Sequence, residues 1–61
     1  MLDSASVALL NSLHRHLRNT GDAIMAGDNL TAMAECGHAE AVLAAIHAHA
    51  NAQAFPAGAS S

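Results

Sequence analysis

A glutamate and a histidine three residues apart, Glu35 and His38, are the side chains in this sequence best suited to chemistry. In a helix, residues three positions apart share a face, so the carboxylate and the imidazole can reach one metal ion. Di-iron proteins built on helical bundles use the same E-x-x-H spacing, together with further inward-facing carboxylates. The first helix offers only Asp3 and Asp22, which are poorly placed, and a symmetric dimer would pair two such motifs but still lack the further glutamates unless Glu40 contributes. The spacing therefore indicates a metal-binding alternative, with zinc or iron as the ion.

Cys36 and Glu40 extend this candidate set, because residues four positions apart also share a helical face. Thiolate, carboxylate and imidazole groups are all zinc ligands. His47 lies on the same face, but at 1.5 Å per residue it is about 16 Å from Cys36 along the helix, too far for one ion within one chain. The competing interpretation is a small packed cysteine beside a solvated glutamate and histidine, with no cofactor bound.

The segment from His14 to Arg18, which includes Arg15 and His16, is the cationic segment of the chain. Its residues His14 and Arg18 lie four positions apart and together predict a candidate anion-binding pair. The alternative is a solvated helix face. The net charge is -3 and lysine is absent, so there is no basic field to attract phosphate backbones, which argues against nucleic acid as a partner.

A catalytic set cannot be assembled from this sequence. The serines near the start of the chain, Ser4, Ser6 and Ser12, have no base and orienting group at a recognisable spacing, and there is no glycine-rich phosphate loop or nucleophile elbow. We expect a protein that is not an enzyme.

Two helices must position these residues. Asp3 or Ser4 can cap a first helix over about 4–26, on which leucines such as Leu9, Leu13 and Leu17 follow the spacing of an amphipathic helix. Leu2, Leu10 and Ile24 belong to the same predicted stripe. Gly21 either breaks this helix or is tolerated within it, and we favour continuation.

Residues 26–29, Ala-Gly-Asp-Asn, predict the turn, since glycine suits a helix end and Asp28 can cap the next helix. A second, alanine-rich helix follows over about 29–54. Proline 56 then predicts a flexible tail over 55–61. The fold class is therefore all-α: an antiparallel helical hairpin over residues 1–54.

The second helix is apolar on more than one side, which predicts association. A 61-residue chain buries only about 60% of its unfolded surface, and a single cysteine gives no internal disulfide. One hairpin cannot cover both apolar sides, so we expect a homodimer forming a four-helix bundle. The predicted interface consists of a small-residue surface and two larger residues on the opposite half of the helix: Gly37, Ala41, Ala44, Ala45 and Ala48, with Val42 and Ile46.

The single cysteine and the acidic start of the chain favour a reduced, cytoplasmic protein without a signal peptide. The alanine-rich run contains His47, His49, Asn51 and Gln53 and falls short of the ~20 apolar residues of a membrane span.

The segment from Asp22 to Asp28, with Leu30 and Met33 after it, resembles short bacterial helical domains of unknown function that share a D-A-I-x-x-G-D-L-x-x-M core. Length and layout also resemble Rop-like helical hairpins, which dimerise into four-helix bundles. That resemblance implies RNA binding through a basic face, for which Arg15 and Arg18 are the available arginines.

The function predicted from these observations is a small interaction or regulatory protein that self-associates through its second helix and holds a protein partner. The alternatives are a metal-binding bundle using Glu35 and His38, and a Rop-like RNA-binding regulator.

Overall fold

The computed structural model describes residues 3–55, which form two α-helices, α1 (Ser4–Met25) and α2 (Asn29–Ala54), with no strand in that segment. Contacts between Asp3 and His49, and between His16 and Glu35, show that the helices pack antiparallel. The predicted all-α hairpin is confirmed at this level. Residues 56–61 of the predicted tail and Leu2 of the predicted stripe lie outside the described residues.

The N-terminus of α1 is capped by Asp3, whose carboxylate accepts a hydrogen bond from the Ser6 N–H at 2.7 Å. This contact satisfies one of the free amides of the first turn, as an aspartate N-cap is expected to do. The helix then continues through Gly21 without a break. Twenty-two residues make α1 nearly as long as α2, so each helix presents a full-length face to the other.

The turn between the helices depends on Gly27, which has a φ of 76°. This left-handed conformation costs glycine little and strains other residues. The Asp28 N–H donates to the Ala23 carbonyl at 2.8 Å, which closes the end of α1. Asp28 also caps α2, because its carboxylate accepts from both the N–H and the hydroxyl of Thr31, at 3.0 and 2.6 Å. Hydrogen bonds within the turn therefore close the end of α1 and cap the start of α2.

The contact between the helices follows a spacing of alternating three and four residues on each helix. This spacing keeps one stripe of each helix turned towards its neighbour. The residues of this stripe, termed the seam, are Ser6, Leu9, Leu13, His16, Thr20 and Ala23 on α1 and Ala32, Glu35, Ala39, Val42, Ile46 and His49 on α2. All twelve are buried or half-buried, and Ser12 and Asn19 beside the seam are half-buried too.

The buried apolar core of the hairpin is small, since within residues 3–55 it consists of Ala23, Ala32 and Ala39. The sequence grouped Leu10, Leu17 and Ile24 with Leu9 and Leu13 in one stripe. The structure divides that stripe, because Leu10, Leu17 and Ile24 each follow a seam residue by one position and stay exposed. A single hairpin thus leaves much of its apolar surface in water.

Neither helix of the described segment combines the length and the apolar character needed to cross a bilayer.

Candidate functional site

Three side chains from the two helices converge in the half of the seam that lies nearer the turn. His16 lies on α1, and Glu35 and His38 lie on α2; together they are termed the triad. One potential ligand atom from each residue can be chosen so that all three atoms lie within 4.8 Å of one another. His16 Nδ1 is 2.6 Å from Glu35 Oε1, and His38 Nδ1 is 4.0 Å from Glu35 Oε2. The two imidazole rings lie 5.1 Å apart between centroids.

The positions of these residues on the helices explain why they meet. His16 and Glu35 are both seam residues, so the packing of α1 on α2 points them at each other. His38 lies one turn after Glu35 and reaches the same carboxylate from the same helix. The side chains of His16 and Glu35 are each 18% exposed, whereas His38 is 62% exposed. The triad is therefore anchored in the seam and open to solvent on one side.

The electrostatics of the triad favour the ionised form of Glu35. The hydrogen bond from His16 is the main cause that lowers the pKa of Glu35, and partial desolvation opposes it. Hydrogen bonding to Asn19 and the charges of His16 and His38 lower this pKa further. An ionised carboxylate only accepts hydrogen bonds, so the Nδ1 of His16 is the donor in this contact. The Thr20 hydroxyl donates to the His16 carbonyl at 2.8 Å and links the next turn of α1 to this position.

The residues predicted as metal ligands fall into two groups, one within the triad and one exposed outside it. Glu35 and His38 lie in the triad, but Cys36 and Glu40 are exposed and outside it. Sequence reasoning missed His16, which it placed in a cationic, solvated segment. The signal that could have found His16 is its place in the series Leu9, Leu13, His16, Thr20, since spacings of four, three and four residues identify it as a seam residue.

The predicted anion-binding pair, His14 and Arg18, is exposed on α1. The two residues lie one turn apart on the outer side of the helix, away from the triad. Binding of an anion there stays a prediction.

The predicted interface residues also divide. Val42 and Ile46 are half-buried seam residues, so within this chain they face α1. The small residues of the prediction, Gly37, Ala41, Ala44, Ala45 and Ala48, are all exposed on α2. The structure thus uses one apolar side of α2 for the hairpin and leaves the other free, while contact with a second chain stays a prediction.

A second exposed apolar surface runs along one side of the seam. It consists of residues that each follow a seam residue by one position: Val7, Leu10, Leu17 and Ile24 on α1 and Met33 and Leu43 on α2. They are termed the leucine face, and their exposure ranges from 39% at Leu10 to 70% at Met33. In an antiparallel pair, the second helix runs in the opposite direction and turns its seam residues towards the first helix. The position that follows a seam residue therefore lies on the same side of the hairpin in both helices.

The leucine face continues into a groove of about 560 Å³ between the ends of the helices that lie away from the turn. Its lining is largely apolar and comes from both helices: Ser6, Leu9, Leu10, Ile46, His49, Ala50, Gln53 and Ala54. His38 precedes the seam residue Ala39 by one position, so the open side of the triad lies on the other side of the hairpin. The open side of the triad and the leucine face therefore lie on opposite sides of the hairpin.

Comparisons of the chain with protein-family models, with curated proteins and with solved structures gave no match.

Proposed function

We propose that this protein is a non-enzymatic interaction protein that self-associates into a four-helix bundle, with a second copy covering the leucine face. The observation that carries the proposal is that face itself, six large apolar side chains along one side of a hairpin whose buried core, within residues 3–55, is three alanines. Several large exposed apolar side chains on one side of a small protein are typical of association sites. A surface outside the bundle would then hold a protein partner.

The spacing on α1 supports a second helical hairpin as the occupant. Leu10, Leu17 and Ile24 recur every seven residues, which places them in a nearly straight line along the helix. A line of this kind matches the contact stripe of another helix. Two copies related by a two-fold axis would bring identical faces together, so the leucine face of each copy would cover that of the other.

The leucine face is better suited to association than the alanine-rich surface on α2 predicted from the sequence. Complete burial of a leucine or isoleucine side chain stabilises a complex by about 1.5–3 kcal/mol, and alanine has far less apolar area to remove from water. Ala41 and Ala45 lie outside the leucine face, on another side of the exposed part of α2. Substitutions on the two surfaces can therefore distinguish between them.

The test compares three variants that each introduce one glutamate at an exposed helical position. Leu17→Glu places a charge in the leucine face, Ala45→Glu places it in the alanine-rich surface, and Asn11→Glu places it on the outer side of α1. Sedimentation equilibrium of the unchanged chain should give twice the chain mass of 6.2 kDa. Leu17→Glu should give the single chain mass, because a buried unpaired charge opposes association.

The Asn11→Glu and Ala45→Glu variants should remain dimeric. If Ala45→Glu dissociates the dimer and Leu17→Glu does not, the alanine-rich surface is the interface and our assignment of the face is wrong. If the unchanged chain keeps its single mass above about 100 µM, the dissociation free energy of any dimer is below about 5.5 kcal/mol, and self-association is refuted.

A further inference from the structure

We propose that His16, Glu35 and His38 form a zinc site that joins the two helices, with three protein ligands and a fourth position open to solvent. Two imidazoles and one carboxylate are a ligand set that zinc accepts, and sites with three protein ligands keep their last position for water or another molecule. The proposal goes beyond self-association and uses the opposite side of the hairpin.

The distances within the triad are close to those that zinc requires. Bonds of about 2.0–2.1 Å in a tetrahedral arrangement separate neighbouring ligand atoms by about 3.3 Å. His16 Nδ1 lies 2.6 Å from Oε1 of Glu35 and His38 Nδ1 lies 4.0 Å from Oε2, so one distance is below this value and the other is above it. For zinc to bind, the proton that His16 Nδ1 donates to Glu35 must be released, with a proton kept on Nε2, and the contact between these two side chains must widen to admit the ion.

The surroundings of the triad suit a site of this kind. His16 and Glu35 are held by the seam, so two of the three ligands are preorganised before an ion binds. His38 is exposed and gives the ion a path from solvent. Because the ligands come from both helices, the ion would bind the folded hairpin in preference to the unfolded chain and stabilise it.

The neighbouring candidates do not replace any of the three ligands. Cys36 and Glu40 both follow a seam residue by one position and therefore lie towards the side of the leucine face. His47 follows Ile46 and lies on that side too, where it is exposed. This separation makes His47 a matched control, since it is a histidine on the same helix that the proposed site does not use.

The experiment is a titration of the chain with zinc alone, followed by isothermal calorimetry and by thermal unfolding. The unchanged chain should bind one zinc ion per chain, and its melting temperature should rise with the zinc concentration. His38→Ala and Glu35→Gln should each weaken binding about tenfold or more, as expected for the loss of a metal ligand. His47→Ala should bind as the unchanged chain does.

Cobalt(II) provides a second measurement that does not depend on stability. Its visible absorption should indicate a tetrahedral site without a thiolate charge-transfer band, and Cys36→Ser should leave the spectrum unchanged. A thiolate band that is lost in Cys36→Ser would overturn the ligand assignment. Equal weakening in His38→Ala and His47→Ala, or no zinc binding by a folded chain, would also overturn the site.

The monomeric Leu17→Glu variant should retain the zinc site, because the ligands belong to one chain and the open side of the triad faces away from the leucine face. If this variant loses zinc binding while it remains helical, the proposal of a site within one chain is wrong. If it binds zinc normally, the outcome of the self-association experiment has no bearing on the metal site.

Discussion

The half of the seam near the turn differs from the half near the chain termini. Towards the turn the buried residues are small, because Ala23, Ala32 and Ala39 are the buried apolar residues of the described chain. Towards the termini the seam residues are larger, yet side chains such as Leu9 and Ile46 are only half-buried and line the groove. Among the apolar seam residues, the small ones near the turn are therefore buried, whereas the larger ones near the termini are only half-buried.

This difference shows that a short hairpin can be closely packed at one end while apolar side chains at the other end remain partly exposed. Alanine allows two helices to approach closely, so even a small side chain is removed from water. Larger residues on only two helices leave part of each side chain uncovered, and a third or fourth helix is the usual way to cover it. We infer that the turn half holds the hairpin together and that the terminal half depends on association.

The largest expected effect comes from enlarging a side chain in the turn half. Ala39→Leu should destabilise the hairpin by about 1–3 kcal/mol, because the buried position has no room for three further carbon atoms. Ala50→Leu, at an exposed position that lines the groove, should be neutral or stabilising. Urea unfolding followed by circular dichroism measures both, and equal losses in the two variants would contradict the comparison.

A truncation in the terminal half should have a moderate effect. Ile46→Ala should lower the free energy of unfolding by about 1–2 kcal/mol, less than the 2–5 kcal/mol found for fully buried positions, since Ile46 is only half-buried in one hairpin. If the groove is covered in a dimer, the loss should approach the higher range at high protein concentration. Urea unfolding at two protein concentrations measures this difference, and a loss near zero at both would contradict the role of Ile46 in the seam.

A smaller effect is expected at the turn, where the same substitution at two glycines should have opposite signs. Gly27→Ala should destabilise the hairpin by about 1 kcal/mol, because alanine is strained at a φ of 76°. Gly21→Ala should stabilise it by about 0.5–1 kcal/mol, since Gly21 is within α1 and a Cβ atom there meets nothing within 4 Å.

Melting temperatures measured by circular dichroism give both signs in one experiment. Destabilisation by Gly21→Ala would show that the helix does not tolerate the added methyl group. A neutral Gly27→Ala would show that the turn can adopt another conformation, and the anchoring role of the turn half would then be wrong.

The hairpin could be predicted from the sequence because its determinants are local. Asp3, Gly27 and Asp28 act within three or four residues of their own positions, and each residue type has a strong preference for the role that it plays. The alanine-rich composition of α2 likewise favours a helix without help from distant contacts. The all-α hairpin is therefore confirmed, whereas its dimerisation stays a prediction.

The triad could be predicted only in part, because it depends on how the two helices are aligned. Glu35 and His38 share a helix, and their spacing alone identified them as a pair. His16 is nineteen residues from Glu35, and no local spacing connects them. Two apolar stripes also lie side by side on α1, so hydrophobicity alone did not reveal that Leu9 and Leu13 face α2 while Leu10 and Leu17 do not.

The smallest effect we predict is a pH dependence that originates in the turn half. The pKa of Glu35 is lower in the folded chain than its ordinary value of 4.5, chiefly because Glu35 accepts a hydrogen bond from His16. The unfolded chain therefore binds this proton more readily, so the stability that Glu35 contributes is fully present above that value and is lost as the pH falls through the folded pKa. Urea midpoints between about pH 6 and pH 3 should decrease less steeply for Glu35→Gln than for the unchanged chain.

Glu40→Gln is the matched control for this measurement, because it removes an exposed carboxylate of the same helix that lies outside the triad. Its midpoints should decrease as steeply as those of the unchanged chain. Asp3 provides the corresponding test in the terminal half, where a hydrogen bond from the Ser6 backbone lowers its pKa and His49 lies 3.3 Å away. If Asp3→Asn removes the acid dependence and Glu35→Gln leaves it unchanged, the terminal half contains the dominant carboxylate, and the pH dependence does not originate in the triad.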